Sequence, residues 1–269
     1  MPLFKTKDAE IYYDIQGSGP PLLLMHGYAL NGLMWGLQLP DLIKSYTIIN
    51  VDLRGFGKST CKNEWGGSAM ASDIKELINH LELQDLSILG FSLSGGVAIR
   101  VAIEMPDIIN GLILVSSILP SSGRPKTQKE SDRHQKEISL LKRRGVKAWA
   151  DGMGLSKGPL VDNIFKRNPD ARPVWDKIIE RHNPDNLICM MEARNKTKSL
   201  VNWRARLNEI RQATLIVVGA QDTHFIDAGK YLNRHIPNSK METVSGAGHM
   251  LNLEKPNEFN DLLLRFLAG

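Results

Sequence analysis

The chain has 269 residues, 42% of them hydrophobic, with 34 Lys and Arg against 29 Asp and Glu and two cysteines. That length and apolar content suit one sizeable folded domain and exclude a disordered chain or a disulfide scaffold. No apolar run approaches a membrane span, the first ten residues lack a signal core, and the net charge of +5 brings no arginine-rich arm. A cytoplasmic protein with reduced thiols is expected, with neither nucleic acid nor membrane as partner.

Leu3 to Lys7 and Glu10 to Ile15 read as an antiparallel edge hairpin. Leu22 to Met25 and Thr47 to Val51 are short apolar runs of the kind buried on both faces of a parallel sheet. An amphipathic stretch from Met70 to Leu83 predicts a helix, and Leu86 to Leu89 predicts another buried strand. That strand runs into Gly90-Phe91-Ser92-Leu93-Ser94, with a helix expected from Ser92 to about Glu104. The string matches a nucleophile elbow, where a strained strand-to-helix turn lifts a serine hydroxyl above the sheet. The pattern wants glycine at 94, and serine is the smallest polar substitute. Taken alone, the string also suits a tight turn with Ser92 as a helix cap. A register with Ser94 as nucleophile would leave Gly90 and Phe91 unexplained as strand residues, which favours Ser92.

Leu112 to Val115 predicts the next strand, and it ends in serines rather than an acid. From Pro120 to Arg206 the pattern changes to charged helical segments punctuated by Pro125, Pro159, Pro169, Pro173 and Pro184. Residues 121–206 hold 20 Lys and Arg against 10 Asp and Glu, a basic excess that suits solvated helix faces, steering of a carboxylate-bearing substrate or contact with an anionic surface. Thr214 to Val218 is a buried strand running into Gly219-Ala220-Gln221-Asp222, an acid at its C-terminal end. Asp227 is read as beginning or capping the next helix, Phe225 to Arg234. The short run Met241 to Val244 precedes Gly246-Ala247-Gly248-His249, a histidine on a flexible loop, and Asn257 to Leu267 predicts the last helix.

A serine nucleophile needs a base to take its proton, and the base needs a carboxylate to fix its tautomer. Ser92, His249 and Asp222 are the candidates. His80, His134, His182 and His235 read as surface or helix residues, and His224 lacks the glycine-flanked loop of His249. No histidine or cysteine spacing suits a metal, so neither a metal nor an organic cofactor is expected.

The order Ser, Asp, His resembles the α/β-hydrolase family, and three further motifs extend the resemblance over nearly the whole chain. Leu22-Leu23-Leu24-Met25-His26-Gly27-Tyr28 looks like the family's strand and His-Gly oxyanion loop. Asp52-Leu53-Arg54-Gly55-Phe56-Gly57-Lys58-Ser59 looks like its D-x-R-G-x-G-x-S turn, and His249 with Glu254, Pro256 and Phe259 its histidine signature. The resemblance implies a mostly parallel, eight-stranded twisted sheet flanked by helices. It implies a core from residues 1–120 and 207–269 with a helical lid at 121–206. It also implies an oxyanion hole from the backbone N–H groups of Tyr28 and Leu93, with His26 structural. Trp35, Phe91 and Met250, beside Tyr28, are the expected pocket residues.

The activity implied is hydrolysis of a small or medium carboxylic ester or lactone through an acyl-enzyme. Carbon–carbon hydrolysis of keto-acid dienes, cofactor-free perhydrolysis and a receptor role on the same fold are the alternatives. The oligomeric state stays open, a homodimer included.

Overall fold

In the computed structural model, which describes residues 2–119, 128–196 and 203–269, eight strands form one sheet. In chain order they are β1 (Leu3–Lys5), β2 (Glu10–Gln16), β3 (Pro21–Met25), β4 (Thr47–Val51), β5 (Leu86–Phe91), β6 (Ile109–Val115), β7 (Ala213–Gly219) and β8 (Ser239–Val244). The spatial order is β1-β2-β4-β3-β5-β6-β7-β8. The expected hairpin is present: β1 pairs antiparallel with β2, and β2 antiparallel with β4. Every other pairing is parallel. The apolar runs occupy the centre of the sheet, where Leu22, Leu23, Leu24, Ile88, Leu89, Leu112 and Ile113 are all buried. Strands covered on both faces have no polar side to alternate with.

Helices cover the faces. In α1 (Gly67–His80), Met70, Ile74, Leu77 and Ile78 form the buried stripe, and the helix begins three residues earlier than the periodicity predicts. The next, α2 (Gly95–Glu104), is buried over nearly its whole length behind β5. Between β6 and β7 the chain forms α3 (Gln128–Gly152, interrupted at Gly145), α4 (Pro159–Arg167), α5 (Arg172–Glu180) and α6 (Pro184–Lys196). No strand occurs among the described residues of this insertion, as its composition implies. The expected boundary near residue 120 and Pro125 lie outside the described residues. After β7 comes α7 (Thr223–His235), and after β8 a single turn, Leu251–Glu254, precedes α8 (Pro256–Leu267). Among the described residues no helix is long and apolar enough to cross a membrane.

Parallel pairing sends the C-terminal ends of β3 to β8 to one edge of the sheet. The strand order reverses at β3, which lies between β4 and β5, and such a reversal opens a crevice beyond the strand ends. Met25 pairs with Gly90, so the loop after β3 lies beside the turn after β5.

The D-x-R-G-x-G-x-S segment is architectural. The Asp52 carboxylate accepts the N–H groups of Gly32 (2.8 Å) and Lys58 (2.9 Å) and the Nε of Arg181 from the insertion (3.1 Å). Arg54 forms a buried ion pair with Asp73 of α1, and Ser59 bonds Asp52 O and accepts the N–H of Tyr12. The two cysteines, 128 positions apart, also meet here: the Cys189 thiol in α6 donates to the backbone carbonyls of Cys61 and Lys62. Burial, with the Cys189 thiol alongside, pushes the Cys61 thiol up to about 12. Thiolate is the reactive species, so Cys61 is expected to resist iodoacetamide at pH 8 in the native protein and to react in urea. Rapid alkylation of native Cys61, read by peptide mass, would contradict this.

Candidate active site

Ser92 follows the last residue of β5 with φ of +52°, a left-handed conformation that a side chain strains to adopt. The α-helix expected to open at Ser92 opens three residues later. Ser92–Ser94 is a turn of 3-10 helix, and the α-helix begins at Gly95, because a residue at positive φ cannot join an α-helix. Gly90 is required by proximity: a Cβ there would lie 2.5 Å from Ser94 O. Ser94 is fully buried; its Oγ accepts the N–H of Phe91 (2.9 Å) and donates to Met25 O (2.9 Å). The hydroxyl thus ties the turn after β5 to the end of β3, a bond that glycine at this position cannot make.

The structure brings Ser92, His249 and Asp222 together. His249 Nε2 lies 3.1 Å from Ser92 Oγ, and His249 Nδ1 lies 2.7 Å from Asp222 Oδ2. An ionised carboxylate only accepts hydrogen bonds, so Nδ1 carries the proton and Nε2 is free to accept one from the serine. Asp222 is the N-cap residue of α7, yet its side chain caps nothing, leaving the carboxylate to the imidazole. Asp227 neither begins nor caps that helix; it sits a full turn inside it, exposed and paired with Lys230. The rings of Phe91 and Phe225 flank the imidazole, with centroids at 5.1 and 4.3 Å. Phe225 has no local signal in the sequence, since its partner is 24 positions away. The Glu254 carboxylate accepts the N–H groups of Gly248 (2.7 Å) and Met250 (3.2 Å), the two neighbours of His249.

Leu93 stands in the first turn of the 3-10 segment, where N–H groups have no intrahelical partner. Tyr28 lies on the loop after β3, its ring edge-on to Phe56 and Trp65. Trp35 is fully buried between Phe91 and Phe259, and Met250 is buried beside His249.

Two buried histidines brace the Tyr28 loop. His26 Nδ1 donates to Gly27 O (2.7 Å) and Nε2 accepts the N–H of Leu53 (2.8 Å), the structural role expected of it. His182 is neither on the surface nor in a helix, contrary to the sequence reading. It is buried between α5 and α6, with Nδ1 accepting the N–H of Gly57 (3.0 Å) and Nε2 donating to Ala29 O (3.1 Å). A charged flank in the sequence hid an inward-facing ring. Burial holds both imidazoles neutral, pushing His26 down to about 3 and His182 to about 4.

The sequence matches the "Alpha/beta hydrolase family" over residues 22–262. The chain belongs to this family. Among curated proteins, this α/β hydrolase is 29% identical to the AB hydrolase superfamily protein YisY of Bacillus subtilis, over 97% of each chain. Among solved structures, a thermophilic esterase from Thermogutta terrifontis is 26% identical with a TM-score of 0.80, over 97% of this chain and 93% of that one. A bromoperoxidase from Bacillus anthracis is 29% identical with a TM-score of 0.77, over 97% and 96%.

Two outcomes are expected of this α/β hydrolase. Ser94→Ala strands the buried N–H of Phe91 and lowers the unfolding free energy by about 1–3 kcal/mol in urea titrations, where no change would deny the bridge its structural role. The two depressed imidazoles contribute stability that is complete above pH 6.5 and is lost as pH falls toward about 4 and then 3, at about 1.4 kcal/mol per pH unit for each proton taken up. His182→Gln is expected to flatten the fall in urea midpoint between pH 6.5 and 4.5. A variant with the wild-type slope would mean that the native ring is already charged.

Proposed function

We propose that the protein is a serine hydrolase of small or medium carboxylic esters or lactones, acting through an acyl-enzyme. The observation that carries this reading is the continuous relay from Ser92 Oγ to His249 Nε2 (3.1 Å) and from His249 Nδ1 to Asp222 (2.7 Å), beginning at a serine with φ of +52°. In the proposed reaction His249 takes the Ser92 proton as Oγ attacks the carbonyl carbon. The negative charge that develops on the carbonyl oxygen is received by the N–H groups of Leu93 and Tyr28. His249 then returns the proton to the departing alcohol, and Asp222 stabilises the imidazolium between the two transfers. Water activated by the same imidazole cleaves the acyl-enzyme and frees Ser92.

Residues 1–120 and 207–269 form the catalytic core, and the helical insertion at 121–206 serves as a lid. Apolar contact for the acyl chain is assigned to the buried edges of Phe91 and Met250 beside His249, whereas Trp35, expected as a third pocket residue, has no accessible surface between Phe91 and Phe259 and backs the Phe91 ring instead. The likeness to a bromoperoxidase favours a second reading of the same site, in which hydrogen peroxide replaces water at the acyl-enzyme.

Ser92→Ala is expected to lower the turnover of p-nitrophenyl acetate and butyrate at least about 10³-fold and to abolish a fluorophosphonate adduct seen by intact mass. Asp222→Asn, which permits the wrong tautomer, is expected to cost up to about 10⁴-fold, no more than loss of the nucleophile itself. Unchanged hydrolysis by Ser92→Ala would defeat the reading. Peracid formation from acetate and hydrogen peroxide would bring the second one forward.

A further inference from the structure

Glu254 is a buried carboxylate with three donors. Two are the N–H groups on either side of His249, at 2.7 Å from Gly248 and 3.2 Å from Met250. The third comes from outside the loop: Arg167 Nη1, from the last residue of α4 in the helical insertion, at 2.5 Å. The other arm of the same guanidinium, Nη2, donates to Gln221 Oε1, beside Asp222. Gln221 in turn donates its N–H to Ala247 O (2.8 Å), two residues before His249. The next residue of the insertion, Asn168, donates to Leu253 O (2.7 Å) in the single turn that carries Glu254. One side chain of the insertion therefore grips both loops of the proposed relay, one arm to each.

We infer that Arg167 is a positioning residue that couples the docking of the helical insertion to the placement of His249. The inference deepens the serine-hydrolase reading and rests on it for the reaction served. With side-chain exposures of 1% for Glu254 and 18% for Arg167, the pair is screened from water, and loss of the guanidinium leaves a buried anion held by two amides alone. That carboxylate then turns toward water, and the amides flanking His249 lose their fixed acceptor. The imidazole must stand within hydrogen-bond reach of Ser92, and a misplacement of about 1 Å is worth about 10²-fold in rate. Two acceptors on different loops suit the planar fork of arginine; a lysine reaches one of them and keeps the charge.

The test compares wild type with Arg167→Gln, Arg167→Ala and Arg167→Lys in the full chain. It reads kcat and KM for p-nitrophenyl butyrate, the urea midpoint, and the downfield proton of the His249–Asp222 hydrogen bond in histidine-labelled protein. Arg167→Gln is expected to lose about tenfold or more in kcat with KM within about twofold, and to shift or broaden the downfield proton. Arg167→Lys recovers part of the loss, and millimolar guanidinium restores turnover to Arg167→Ala. Unchanged kcat and an unchanged downfield proton in a folded Arg167→Gln overturn the inference. So does a loss that tracks the urea midpoint and is rescued by neither lysine nor guanidinium, since that marks a purely structural contact. A wild type that turns over no ester, but whose downfield proton moves in Arg167→Gln, defeats the ester reading and leaves the coupling standing.

Discussion

The loop that carries His249 passes so close to the end of β7 that no side chain fits between them. A Cβ on Gly219 would lie 2.1 Å from Gly248 O and 2.5 Å from Ala247 O. That approach lets Asp222, three residues past Gly219, meet an imidazole 27 positions away at 2.7 Å. The parallel pairing of β7 with β8, in register from Thr214 and Ser239 to Gly219 and Val244, sets the two loops at the same height above the sheet. The serine side has a matching constraint: Gly90 admits the chain after Ser92, and the Ser94 hydroxyl anchors that turn to β3. Site geometry thus follows from backbone packing at two strand ends, and the polar side chains occupy positions that packing has already narrowed.

Around this frame, neutral and charged groups have separate tasks. The neutral rings of His26 and His182 each join two loops by accepting one backbone N–H and donating to one carbonyl. A protonated ring has no lone pair with which to accept, so these braces require burial to keep the proton away. Asp52 and Glu254 act as anions instead, each collecting two backbone N–H groups and an arginine of the insertion, Asp52 from the segments after β3 and β4 and Glu254 from the His249 loop alone. Arg181 serves the loop beside Tyr28 in the way that Arg167 serves the loop of His249. The basic excess of residues 121–206, which as composition suggested solvated faces or substrate steering, thus has an inward-facing part as well. Burial of such an ion pair is weak evidence of net stability, because desolvation offsets attraction. Its firmer consequence is geometric, since a buried carboxylate tolerates few arrangements of its donors.

The fold class, the central strands and the candidates Ser92, Asp222 and His249 were legible in the chain alone, because each depends on local pattern. Apolar runs mark strands covered on both faces, and small residues mark turns where chains crowd. The His-Gly and D-x-R-G-x-G-x-S segments carried the family resemblance. Tertiary structure decided what depends on contacts between distant residues: the inward turn of His182, the ring of Phe225 against His249, the meeting of Cys61 with Cys189, and the grip of Arg167 on Glu254 and Gln221. The start of α2 at Gly95 belongs here too, because the positive φ that keeps Ser92 out of the helix is a property of the folded turn that apolar periodicity does not mark. A side chain's partner lies in another segment, and one-dimensional periodicity reports only whether a residue faces inward. What it meets there is set by how the segments pack.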